Sequence, residues 1–296
     1  MVAINPKTAS WSAEYPFEPQ TIKLASGATM SYVDEGPRDA PAMVFFHGNP
    51  TWSFYWRNLI KHYSGTFRCV AMDHIGCGLS EKPQDYNYTL EQRISDAAEL
   101  VTSLGLRNAV LVVHDWGGAI GFGVAERMPD LFEKFIVFNT AAFLSPRIPF
   151  SIDICRIPGF GAFAVRGLNA FVEIAQIRAI HDRARLAGPI RDAYVNPYDS
   201  WENRVAIHRF VEDIPMKPSH PSYATLKRVD DGLKQFADRP MLIVWGDEDF
   251  CFDVSFRKEW QRRFPNATVH ALADASHYVV EDAIDDIKRW ADAFLA

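Results

Sequence analysis

The apolar positions of this chain come in short bursts separated by stretches of a longer rhythm. Bursts occur at MVFF (43–46), RCVAM (68–72), AVLVV (109–113), KFIVF (134–138), MLIVW (241–245) and ATVHA (267–271). Runs this short and this uniformly apolar predict strands buried on both faces, hence a parallel sheet. Near the start, TIKLASGATMSYVDEG shows two alternating segments around Ser26 and Gly27, which predicts a β-hairpin. Between the bursts the period lengthens. In TLEQRISDAAELVTSLG, Leu90, Ile94, Ala97, Val101 and Leu104 recur at spacings of three and four, with Thr89 and Gln92 as a capping box and Gly105 as a stop. Ile284, Ile287, Trp290 or Ala291, and Phe294 repeat that pattern at the C-terminal end. Strand and helix in alternation predict a doubly wound α/β sandwich with right-handed crossovers.

The rhythm breaks between about residue 142 and residue 232. Prolines crowd this stretch (Pro146, Pro149, Pro158, Pro189, Pro197, Pro215, Pro218, Pro221), and its patterned segments, such as LNAFVEIAQI, are amphipathic and helical. The expected division is therefore a core of residues 1–141 and 233–296 with a helical cap of residues 142–232. Its Phe, Leu and Ile residues would roof an apolar pocket beside the strand ends, where α/β sheets bind ligands.

Composition narrows the function. The 296 residues are 48% hydrophobic and 23% charged, enough for one large domain with an insertion. A net charge of −6 with scattered Lys and Arg speaks against nucleic-acid binding and suits a small neutral or weakly polar ligand. Cys69, Cys77, Cys155 and Cys251 lie far apart with no C-x-x-C, which suggests neither a metal site nor a disulfide framework. The first twenty residues lack a basic and an apolar leader segment, and no apolar run reaches the ~18 residues of a transmembrane helix. A cytoplasmic protein is expected, in which the sequons at Asn87 and Asn266 carry no meaning.

The chemistry concentrates at three strand ends. LVVHDWGGAIGFG runs from an apolar strand into His114, Asp115 and Trp116 and then into a glycine-opened helix, the form of a nucleophile turn with Asp115 as the nucleophile. Val113 stands where the usual pattern has a first glycine, and an Asp at a helix start also serves as an N-cap. VFFHGNP ends another strand at His47, Gly48, Asn49 and Pro50, a turn suited to an oxyanion hole. DASHYVVED places His277 after the last strand, where a catalytic base follows nucleophile and acid in chain order. WGDEDFCFD offers Asp247, Glu248, Asp249 and Asp253 as partners for it; Asp249 has the chain length to turn back toward the histidine. After KFIVF stand Asn139 and Thr140, so no carboxylate is available there.

An aspartate nucleophile defines a reaction class. With a pKa near ~3.9 it is ionised at neutral pH and displaces a leaving group from saturated carbon without a base. The histidine then takes a proton from the water that attacks the resulting ester. A departing halide needs N–H donors in a dry pocket, which the Trp116 indole and the Asn49 amide supply. An epoxide oxygen would instead want a proton from a cap tyrosine, for which Tyr194, Tyr198 and Tyr223 are candidates.

HGNPTWSFYWRN, DHIGCGLSEKP, HDWGGAIG, WGDEDFCFD and DASHYVVED together resemble the haloalkane dehalogenase family of α/β hydrolases over nearly the whole chain. The resemblance implies an eight-stranded, mostly parallel sheet with an inserted helical cap, and an Asp115, His277, Asp249 triad. It further implies Asn49 and Trp116 as the halide pair and neither cofactor nor metal; the acid after the seventh strand with the Asn-Trp pair looks like the third subfamily. NTAAF, RGLNAF, YVNPYDSWENR and RFVEDIP are also similar to bacterial β-lactone decarboxylases of long-chain olefin biosynthesis. Asn49 departs from the aromatic residue usual in epoxide hydrolases, and Trp116 from the Arg of fluoroacetate dehalogenases. The expectation is a haloalkane dehalogenase that binds a small apolar substrate and a halide ion. Its alternative is a cis-3-alkyl-4-alkyl β-lactone decarboxylase using the same Asp. An epoxide hydrolase or a non-catalytic ligand-binding homologue ranks below both.

Overall fold

The computed structural model describes residues 5–296; residues 1–4, part of the N-terminal stretch considered above, lie outside the described residues. Eight strands form one sheet: β1 (Gln20–Lys23), β2 (Thr29–Glu35), β3 (Ala42–Phe46), β4 (Arg68–Met72), β5 (Ala109–Asp115), β6 (Phe132–Thr140), β7 (Met241–Gly246) and β8 (Thr268–Leu272). Their order is β1-β2-β4-β3-β5-β6-β7-β8. The hairpin strands β1 and β2 run antiparallel to each other, and β2 to β4; all later pairs are parallel. Each predicted strand is present. β5 and β6 run further than their apolar cores suggested, because β5 continues through His114 to Asp115 and β6 through Asn139 to Thr140.

Helices α1 (Arg57–Tyr63), α2 (Leu90–Ser103) and α3 (Trp116–Arg127) connect the early strands. In α2 the Thr89 side chain accepts the Gln92 N–H, and Gly105 just beyond takes φ +59°, as the cap and stop signals require. The burial of β3 and β5 on both faces follows from period-two packing. Leu111 and Val113 join Ile94 and Phe122 on one side, while Val110 and Val112 join Ile60 and Ile287 on the other.

Between β6 and β7 the chain leaves the sheet through α4 (Phe150–Asp153), α5 (Phe160–Ala162), α6 (Ala170–Arg178), α7 (Pro189–Val195), α8 (Val205–Glu212) and α9 (Tyr223–Gly232), joined by short 3-10 and π turns. The core resumes with α10 (Val254–Arg263), α11 (Val279–Asp282) and α12 (Ile284–Leu295).

The insertion is fixed to the core at buried points. Arg57 forms a two-pronged ion pair with Glu281, Nη1 to Oε1 at 2.5 Å and Nη2 to Oε2 at 3.0 Å, and the Tyr194 hydroxyl of α7 donates to the same Oε1. The Trp52 indole donates to the Ala193 carbonyl at 2.8 Å, and the Tyr278 N–H to that of Ala179. Replacing Glu281 by Leu strands the Arg57 charge, so urea titration is expected to show a loss of about 3–5 kcal/mol. Arg57→Met combined with Glu281→Leu should recover most of it; equal losses in the single and double variants would contradict the orphaned charge as the cause.

Candidate active site

The site starts from register. Phe46 of β3 pairs with Val113 of β5, so the turns after both strands emerge side by side at the carboxyl edge. There Asp115 takes φ +52° and ψ −128°, a conformation that L-residues rarely adopt and that lifts its side chain out of the strand. It is not used as a helix cap; its Oδ1 accepts the backbone N–H of Asn49 at 2.7 Å. Thr140, beside it on β6, donates its hydroxyl to the Asp115 carbonyl. The corner is crowded enough to demand glycine. A Cβ on Gly48 would fall 2.0 Å from Asp115 Oδ1, and one on Gly117 would fall 2.0 Å from the Phe46 carbonyl.

His277 lies across from Asp115 with Nε2 3.8 Å from Oδ2. Its Nδ1 meets Asp249 Oδ2 at 2.8 Å, so Nδ1 carries a proton and Nε2 is the ring nitrogen that faces Asp115. Asp249 also accepts the Cys251 N–H at 2.6 Å and an amide hydrogen of Asn139 at 2.9 Å. The other carboxylates of that loop are engaged elsewhere: Asp247 with Arg257, Glu248 with His181, and Asp253 with Arg147 and the start of α10. The structure thus brings together Asp115, His277 and Asp249.

Asn139 escaped the sequence because the search there was for a carboxylate. Its Nδ2 serves both Asp249 and the Gly246 carbonyl, while its Oδ1 accepts the Gly246 N–H, so one amide holds the turn that carries Asp249. The signal available was a polar amide at the end of a buried strand, which must find partners. His114 is likewise a neighbour: its Nε2 meets the His277 carbonyl at 2.8 Å, and burial, with the nearby His277, holds it well below the usual histidine range.

Asn49 and Trp116 both line a cavity of about 1350 Å³, counting its open mouth, with Asp115 and His277 at its floor. The Asn49 side-chain amide spends one N–H on the Ile207 carbonyl at 3.1 Å, which leaves one N–H of the group. The half-buried Trp116 ring packs on Phe210 at 5.3 Å, and the buried Arg93 guanidinium lies 3.5 Å from the centre of Phe210. Among the described residues no tyrosine lines the cavity. Tyr194 is bound to Glu281, and Tyr198 to Thr51 and Gly78. The donor atoms of Asp249, Cys251 and His277 lie within 4.8 Å of one another, a spacing that a metal ion could use, but the first and last are already bonded to each other.

Electrostatics set the protonation states. Burial raises the Asp115 carboxyl, opposed by His277 and by the N–H groups of Asn49 and Trp116. For His277, burial pulls downward, yet the charge and hydrogen bond of Asp249, with Asp115, prevail and hold it above 6.5. A raised folded value means that its contribution to stability is complete below the unfolded value near 6.5 and is lost as pH rises through the folded value. Proton NMR should therefore find the His277 midpoint above 6.5, and Asp249→Asn should lower it. An unchanged midpoint in that variant would remove Asp249 as the cause. Gly48→Ala, which drives a methyl into Asp115, should cut turnover ~100-fold or more with the fold retained by circular dichroism.

The comparisons with known proteins agree with this geometry. Residues 41–284 match the model of the alpha/beta hydrolase fold family. The chain is 44% identical to a cis-3-alkyl-4-alkyloxetan-2-one decarboxylase of Shewanella oneidensis, covering 88% of this chain and 83% of the relative. It is 40% identical to one of Xanthomonas campestris pv. campestris, covering 95% and 97%. Haloalkane dehalogenase 2 of Mycobacterium bovis is 30% identical over 92% and 93% of the two chains. Among solved structures, a haloalkane dehalogenase from Bradyrhizobium elkani superposes with a TM-score of 0.82 at 26% identity, covering 94% of this chain and 99% of that one. With its eight-stranded sheet, its strand-end elbow and these relatives, the chain belongs to the α/β-hydrolase family, in the branch shared by haloalkane dehalogenases and β-lactone decarboxylases.

Proposed function

We propose that this protein is a decarboxylase of cis-3-alkyl-4-alkyl β-lactones, with haloalkane dehalogenation as the second chemistry open to the same site. What carries the reading is identity over nearly the full chain: 44% and 40% to proteins of that name, against 30% to a dehalogenase. The order is the reverse of the one drawn from the motifs. The motifs describe the nucleophile and its helpers, which both reactions need, so they cannot rank the two; the rest of the chain can. Epoxide opening has less support, since no described tyrosine lines the cavity to donate a proton.

In this reading residues 142–232 act as a cap over the core of residues 1–141 and 233–296. Asp115 is the nucleophile, His277 the base, Asp249 its orienting acid, and Asn49 with Trp116 the pair that receives the leaving anion. The Asp115 carboxylate attacks C4 of the lactone from behind the ring oxygen. The C4–O bond breaks and the released carboxylate turns to the N–H donors of Trp116 and Asn49. Inversion at C4 leaves the Asp115 ester oxygen antiperiplanar to the C3–carboxylate bond. That bond breaks to release carbon dioxide, its electron pair forms the alkene, and the C4–O bond to Asp115 breaks to regenerate the carboxylate. Inversion followed by anti elimination turns a cis lactone into a cis alkene. A dry cavity assists, because removing water from a carboxylate favours its loss as carbon dioxide.

Water has no place in that sequence, whereas a haloalkane leaves an ester that only water at the Asp115 carbonyl can clear. The two substrates should therefore label the enzyme differently in oxygen-18 water. Peptide mass spectrometry is expected to find heavy oxygen in Asp115 after bromoalkane turnover and none after lactone turnover; label after lactone turnover would overturn the C4 mechanism. Asp115→Ala should abolish both alkene and bromide release. If the wild type releases bromide from a bromoalkane but forms no alkene from a cis-dialkyl β-lactone, dehalogenation is the function and the decarboxylase reading fails.

A further inference from the structure

Eight large apolar side chains stand exposed among the described residues, and all of them fall between Phe150 and Trp201, within the insertion. Phe150 is 81% exposed, Leu168 61% and Phe163 58%. Side chains so open are normal when scattered; gathered on one segment they mark a surface that meets something apolar. They are also close in space. Gly167 separates Phe163 from Trp201, with both rings within 4 Å of where its Cβ would be, and the turn they form packs on α6.

Helix α6 supplies the second observation. Phe171 and Ala175 line the cavity, Ile177 is turned to solvent, and Ile174 does both. The helix is thus apolar toward its cavity and, at Ile174 and Ile177, apolar toward the outside as well, with the exposed Arg178 and the half-buried Glu173 flanking them. Pro149 and Ser151, the neighbours of the most exposed side chain, Phe150, line the same cavity. The apolar surface is thus continuous with the cavity wall.

Charge supplies the third. From Phe150 to Trp201 the chain has six arginines against Asp153, Glu173, Asp182, Asp192 and Asp199, a net of +1 in a chain of −6. Arg166, Arg178 and Arg183 turn to a carbonyl, an amide or a ring rather than to a carboxylate: Arg166 to Trp201 and Gln84, Arg178 to Phe250, Arg183 to the Ile177 carbonyl.

We infer that the outer face of the insertion seats on an anionic lipid bilayer, its Phe, Leu and Ile side chains entering the headgroup boundary while the arginines meet lipid phosphates. Apolar residues flanked by unpaired arginines are the chemistry of interfacial membrane binding. The choice of lipid as occupant rests on the reading of an alkyl-chain substrate, which would pass from the bilayer into the cavity beneath α6 without crossing water.

Flotation of the whole protein tests this, using vesicles of phosphatidylcholine alone and of phosphatidylcholine mixed with phosphatidylglycerol. Wild type is expected to float with the mixed vesicles and weakly with the neutral ones. Phe150→Ser with Phe163→Ser and Leu168→Ser should weaken binding roughly tenfold or more, and Arg178→Gln with Arg183→Gln should remove the preference for anionic lipid. None of these five side chains lines the cavity, so turnover of short-chain bromoalkane and lactone in solution should stay at wild-type level, which also reports an intact fold. Absence of flotation, or flotation unchanged in the triple variant, overturns the proposal. So does a wild-type dimer that the triple variant converts to monomer without any vesicle binding, because the patch would then belong to a second copy. Flotation reads no chemistry: loss of alkene formation with flotation intact would remove the decarboxylase reading and leave the surface standing.

Discussion

One backbone corner governs the site. Asp115 is held at φ +52° where β5 gives way to α3, and every other feature of the site is arranged to make that conformation tenable. The parallel register of β3 and β5 brings the His47-Gly48-Asn49 turn directly over it, and the Asn49 N–H then meets the carboxylate that the corner has raised. Crowding leaves no room for a methyl at Gly48 or Gly117. The strain is local and sits where a strand paired on both sides ends, a combination that keeps the Asp115 carboxylate aimed instead of relaxing.

The electrostatic consequence is a division of labour between two carboxylates that share one imidazole. Asp249 is enclosed by three donors, from His277, Asn139 and Cys251, and so is held in place. Asp115 keeps one oxygen against the Asn49 N–H and turns the other toward His277 and the cavity. Trp116, on the same cavity, packs on Phe210, whose ring also carries the buried Arg93 guanidinium.

The sequence displayed the sheet and the strand-end positions of Asp115, His277 and Asp249 because these are carried by local patterns. Apolar bursts set β3, β4, β5 and β7, and the Thr89 and Gln92 cap set the start of α2. What it concealed depended on contacts between distant segments. His114 and Asn139 are polar residues at strand ends, and no apolar period extends to them; their partners, the His277 carbonyl and the Asp249 turn, come from over a hundred residues away. The short 3-10 and π turns of the insertion lack the length over which a helical period becomes visible. Arg93 sat in the middle of a helical pattern that gave it no special standing, since its neighbour Phe210 belongs to the insertion. The wall of the cavity was hidden for a related reason: much of it comes from the insertion, whereas the recognisable motifs belong to the strand ends.

The attachments between roof and floor have a bearing on how such a protein changes over time. Trp52, Asn49 and the Tyr278 N–H grip the insertion by the carbonyl oxygens of Ala193, Ile207 and Ala179. A carbonyl oxygen is the same chemical group whatever side chain its residue bears. Side chains along the insertion can therefore be exchanged without loss of these three grips, whereas ties such as Tyr194 to Glu281 depend on the residue itself. A lineage built this way can reshape the chamber one side chain at a time and leave the Asp115 corner undisturbed.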